Sequence, residues 1–122
     1  MNDVLTPQRI ENRLRTLDLS LEDATTELVN AEADISQATA ALEIALARRR
    51  MKERTRALEA GSKITVGEIE DLALIGCSDQ FMDKSLADAR VKAARANVKK
   101  VNVQIDIARS LGSSVRASME IS

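Results

Sequence analysis

The residues best equipped for chemistry in this chain are cations. Arg48, Arg49, Arg50, Lys52, Arg54 and Arg56 crowd nine consecutive positions of a chain whose formal net charge is only -1. Five of the six are arginines, and a planar guanidinium suits the two-pronged contact that a phosphate offers. Only Glu53 interrupts the run, so neighbouring cations repel one another where alternating acids and bases would have supported a helix. On a helical wheel Arg48, Arg49, Lys52 and Arg56 gather within about a quarter turn, Arg50 and Arg54 lie on the far flank, and Ile44, Ala47, Met51 and Leu58 form an apolar stripe between them. The arrangement points to an anion-binding collar. Two plainer explanations stand beside it: a solvated helix face, and salt bridging between subunits by the acids of Glu22 to Glu43 or by Glu68, Glu70 and Asp71.

Other chemistry lacks its reagents. The chain has no histidine, which removes the usual general base and the commonest metal ligand. There is no glycine-rich phosphate loop and no nucleophile beside a base, so we expect neither an enzyme nor a cofactor. Cys77 is the single cysteine, a usage that fits a reducing cytoplasm. No apolar run approaches the roughly 20 residues of a membrane span, and the opening MNDVLTPQ lacks the basic and apolar regions of a signal peptide. The expectation is a soluble protein with no membrane partner.

Helices must carry the collar. Charged residues make up 30% and Phe81 is the only aromatic, the bias of long helices and coiled coils rather than of a thick core. Thr6-Pro7 starts the first helix, with a hydroxyl to cap free amides and a proline where no amide hydrogen is needed. Ile10, Leu14, Leu17, Leu21, Ala24, Leu28, Ala31, Ile35, Ala38, Leu42 and Ala45 then alternate steps of four and three, the seam of a coiled coil or of antiparallel packing. Asp18 and Ser20 mark a place for a kink, but the unbroken heptad favours continuity. Carried on, the heptad falls on Arg49, Lys52 and Arg56, so the buried seam is expected to stop near Leu46 and the helix to pack on another face.

Gly61-Ser62 ends that helix after ~80 Å at 1.5 Å per residue. Thr65-x-x-Glu68 is a capping box for a short helix through Ile69, Leu72 and Ala73, which Gly76 stops. Ser78 is placed to cap the last helix, whose seam reads Ala87, Val91, Ala94, Val98, Val101, Ile105, Ala108, Gly112, Val115, Met119. Gly112-Ser113-Ser114 is a place where its last turns can fray or bend. A second apolar row on it, Leu86, Ala89, Ala93, Ala96, Val103 and Ile107, suggests a helix touching its own chain on one side and a neighbouring subunit on the other. The expected fold is all-α, one domain over 1–122. A long helix over 7–60, a turn and short helix over 61–78 and a long return helix over 79–119 form an elongated, oligomeric hairpin. Val91, Val98, Val101, Ile105, Ile107, Val115 and Met119 are the expected oligomerisation residues. Lys92, Arg95, Lys99 and Lys100 either extend the anion-binding surface or form the polar faces between the seams.

The order of elements has a counterpart. A helix ending in RRRMKERTRALEAGSKIT, then the acidic EIEDLALIGCSD, then ARANVKKVNVQIDIARSLGSSVRASMEI resembles the UvsY family of phage recombination mediators over roughly Leu42 to Ile121. The ending carries most of the likeness, where the periodic helix runs into Ser110 to Met119 around Val115-Arg116-Ala117. The resemblance implies a small, helical, ring-forming protein that binds single-stranded DNA through the basic stretch and oligomerises through its C-terminal helix. It implies further that the protein helps a RecA-like recombinase displace a single-strand-binding protein. The family's tyrosines among the basic residues have no counterpart, since the chain has no Tyr, so phosphate contacts would act without base stacking.

The competing expectation is a coiled-coil structural or adaptor protein that acts through protein partners without nucleic acid. A third, nucleotide held between subunits, needs base contacts for which the collar has no aromatic side chain.

Overall fold

The computed structural model describes residues 5–121, and the expected absence of a signal segment falls partly on residues 1–4, outside that range. The described chain is all-helical: α1 (Pro7–Glu59), α2 (Val66–Gly76) and α3 (Ser78–Ile121). None of the three is long and apolar enough to cross a membrane.

Each boundary has a local cause. The Thr6 hydroxyl accepts from the Arg9 amide at 3.2 Å, and Pro7 follows at the first helical position. No break occurs at Asp18 or Ser20, because the apolar seam runs straight past them and both side chains point outward or lie only half-buried. At the far end Gly61 takes φ 66°, the left-handed conformation that a Cβ disfavours. The Ser62 amide then reaches back to the Ala57 carbonyl (2.9 Å) and the Gly61 amide to Leu58 (3.1 Å), which satisfies the last carbonyls of α1.

The Thr65 hydroxyl caps α2 by accepting from the Glu68 amide at 3.1 Å. Ser78 is not the cap of α3 but its first residue. Cys77 is the junction: its amide donates to Ala73 and Leu74, and its carbonyl accepts from Phe81, so one buried residue closes α2 and opens α3. Helix α3 runs unbroken through Gly112-Ser113-Ser114.

The chain divides into two compact units. In the first, residues 5–30 of α1 pair with 92–121 of α3. Ile10 lies against Gly112, its Cγ2 3.3 Å from where a Cβ would stand, while Leu17 packs with Val101, Ile105 and Ala108 under Leu14 and Leu21. Rising numbers on one helix meet falling numbers on the other, so the pair is antiparallel. In the second unit (31–91), Ala31, Leu42, Ala57, Ile69, Ala73, Cys77, Ala87 and Val91 are the buried apolar residues, half of them alanine. Every position of the α1 seam from Ile10 to Ala45 is buried or half-buried.

The core this makes is thin. Among the described residues no large side chain is fully buried. Replacement of Ile105, one of the few bulky core residues, with Ala is expected to cost about 2–4 kcal/mol in urea denaturation at fixed protein concentration. Asn102→Ala on the exposed face of the same helix should stay within about 0.5 kcal/mol.

Candidate nucleic-acid interface

The collar lies in the second unit, on the last turns of α1. The inward line of α1 does not keep the heptad there. After Leu42 it runs through Leu46, Arg49 with Arg50, Glu53 and Ala57, steps close to four that a helix of 3.6 residues per turn takes when no supercoil holds it to 3.5. The buried line therefore reaches Arg49 but leaves Lys52 and Arg56 exposed. The apolar stripe does not take over the packing: Ile44, Met51 and Leu58 are 53%, 66% and 80% exposed.

Charged residues occupy the inward line instead. Glu53 is only 3% exposed, a carboxylate taken out of water, and such a group needs cations around it. Arg49 supplies one through Nε at 3.1 Å, four residues back, and Arg56 another through Nη1 at 3.5 Å. The Arg49 side chain lies across the end of α2, where a Cβ on Gly76 would stand 2.6 Å from its Nε. Glycine at the end of α2 is thus what lets the arginine through. Arg50 binds Glu70 of α2 with both prongs, Nε to Oε1 at 2.9 Å and Nη2 to Oε2 at 3.0 Å. Only the Nη2 contact has hydrogen-bond geometry. The buried Nε–H groups of Arg49 and Arg50 do not aim at their acceptors, so those contacts are Coulombic.

The six collar cations thus fall into two sets. Arg49, Arg50 and Arg56 are paired with carboxylates within the chain, Arg56 still well exposed. Arg48, Lys52 and Arg54 are exposed and have no ion pair among the described residues. On the wheel the free three rim the outward stripe, Arg48 and Lys52 along one edge and Arg54 along the other. Beyond the Gly61 turn, Lys63 joins Arg54 around an open hollow of about 530 Å³ floored by Ala57, Leu58, Ile64 and Ile69. Lys63 was not among the expected site residues. Its signal is a cation two places past the helix-ending glycine, which the chain reversal brings back beside the helix it has just left.

The secondary set is divided in the same way. Lys92 and Arg95 are engaged by neighbouring groups, whereas Lys99 and Lys100 have no ion pair among the described residues. Lys100 shares a hollow in the first unit with Asp23 and Glu27, an environment unsuited to an anion. Of the expected oligomerisation residues, Val91, Val101 and Ile105 are buried within the chain, Val98 and Val115 are half-buried, and Ile107 and Met119 are exposed.

Comparison of the chain with models of known families, with curated proteins and with solved structures finds no match to any of the three.

The two paired carboxylates should respond differently to neutralisation. Glu53→Gln strips Arg49 and Arg56 of a buried counter-ion and is expected to cost about 1–3 kcal/mol in urea denaturation. Glu70→Gln breaks a pair that water already reaches, and should cost no more than about 1 kcal/mol.

Proposed function

We propose that the chain binds single-stranded DNA through Arg48, Lys52 and Arg54, with Lys63 beside them. One observation carries this reading: three exposed cations on one stretch of helix lack a carboxylate, while their neighbours Arg49 and Arg50 are held by Glu53 and Glu70. Charge that the fold needs for itself is neutralised at close range, and what remains faces water, where a sugar-phosphate strand can reach it. Without aromatic side chains at the collar, the contact is to phosphates and tolerates any base sequence.

A collar of three or four cations is weak alone, so the reading includes a homo-oligomer, a ring of helical hairpins, in which one strand meets several collars. The likeness of the basic stretch, the short acidic helix and the closing helix to the UvsY family supplies the biological role. In that role the protein is a phage recombination mediator that helps load a RecA-like recombinase in the host cytoplasm and displace single-strand-binding protein. The adaptor reading has its own support in the apolar side chains left on the outside of α1 and α3, which suit protein partners.

Fluorescence anisotropy with a labelled oligo-dT across salt tests the proposal. Binding should weaken with log[salt] at a slope near -0.7 for each phosphate contact, so about -2 for each chain engaged. Arg48→Ala/Lys52→Ala/Arg54→Ala should lower affinity at least ~10-fold at ~50 mM salt with helicity unchanged by circular dichroism. Glu70→Gln, which frees Arg50, should tighten binding and steepen the slope. A wild-type chain that ignores the oligonucleotide at ~50 mM salt yet still assembles would overturn the proposal in favour of the adaptor.

A further inference from the structure

The hollows of this chain differ in the charge around them. The one beside Pro7 and Ile10 sets Arg109 and Arg116 against Glu11, and the one that holds Lys100 also holds Asp23 and Glu27. In both, a carboxylate repels whatever anion the cations would draw in. The hollow at the Gly61 turn is different. Arg54, Lys63 and the Ser62 hydroxyl line it with Ala57, Leu58, Ile64 and Ile69, and no Asp or Glu shares its walls. Neither cation has an ion pair among the described residues. Every one of these residues belongs to the second unit.

Each wall has a local cause. Left-handed Gly61 reverses the chain, which returns Lys63 and Ile64 beside the last turns of α1. Ala57 and Ile69 are buried and make a fixed floor, and Ile64 is half-buried above them. Leu58 is 80% exposed, an apolar wall left standing in water. The volume, about 530 Å³, falls in the ~300–1,000 Å³ range of small-ligand sites. What fills such a place must join an anion to an apolar face. A nucleotide unit does so: its phosphate seeks guanidinium and ammonium groups, and the flat face of its base leaves water for apolar side chains. Arg54 belongs to both places, since it edges the outward stripe of α1 across from Arg48 and Lys52 and also lines the hollow. A strand held by its phosphates along the collar thus reaches the hollow without leaving the cations.

We infer that this hollow takes one base of the bound strand, its face against Leu58, Ile64 and Ile69 and its neighbouring phosphates on Arg54 and Lys63. The aliphatic floor and wall carry no donor or acceptor for a base edge, so the contact stays tolerant of sequence. The inference rests on the single-stranded DNA reading above and deepens it, adding a base contact to contacts with phosphate.

Fluorescence anisotropy of the full chain with oligo-dT and with an abasic strand of equal length and charge tests the inference. The wild type should prefer oligo-dT by at least ~5-fold, the gain from covering about 40 Å² of base. Both strands should show the same salt slope, because their phosphates are alike. Leu58→Ser removes the wall at an exposed position, so circular dichroism should report wild-type helicity. This variant should bind oligo-dT nearly as weakly as the abasic strand, with abasic affinity and both slopes as in the wild type. Equal wild-type affinities for the two strands would overturn the inference, keep the phosphate reading, and leave the hollow to another occupant such as an acidic apolar peptide. A Leu58→Ser chain with the full preference would also overturn it, since the base would then lie elsewhere. Failure to bind either strand at ~50 mM salt would bring down the DNA reading itself, and the inference with it.

Discussion

Helices that face each other through alanine can come close, but they remove little apolar area from water when they do. Ala24, Ala31, Ala73, Ala87, Ala94 and Ala108 are buried here where a globular domain would place leucine or phenylalanine. The chain thereby gains long helices with short separations and forgoes a thick core. The consequence appears on the outside, where most of the large apolar side chains remain: Leu86, Val103, Ile107, Ile44, Met51 and others. A helix buried on one face and apolar on the other has two seams, and a single chain can use only one of them.

The collar shows the same economy in electrostatic form. A buried carboxylate at Glu53 would be costly alone, and the two arginines around it are costly neighbours to each other. Together they form a stable cluster that fixes the end of α1 against α2, with Arg49 threaded over Gly76 and Arg50 tied to Glu70. These pairs do structural work. What they leave is a smaller and better-defined set, Arg48, Lys52 and Arg54, whose charges are not spent within the chain. The distinction lies in a quarter turn of helix: the side pointing at α2 must be neutral overall, and the side pointing at water need not be.

The helices themselves were legible in the residues because their signals are local. Thr6-Pro7, Gly61 and the Thr65-x-x-Glu68 box act through hydrogen bonds spanning a few positions, and a hydroxyl or a missing Cβ suffices to announce them. The α1 seam is equally plain, since a heptad repeated over Ile10 to Ala45 leaves one inward face. Ser78 misled because a serine beside Cys77 reads as a cap, whereas the structure uses only a backbone carbonyl at the junction. Which collar cations are free was not legible. It depends on where α2 lands, and on an inward line that leaves the heptad after Leu42 for steps close to four. Lys63 was hidden for the same reason: its neighbourhood with Arg54 exists only after the chain has turned.

Charge segregation links these features. The stretch of α1 between Thr16 and Ala47 is acidic and that of α3 from Lys84 to Lys100 is basic, and the bond from Arg90 to Asp34 joins the two within the chain. The collar begins at Arg48, soon after that acidic stretch ends at Glu43. The change from acid to base along α1 falls where its inward line passes from Leu42 and Leu46 to the paired Arg49 and Glu53.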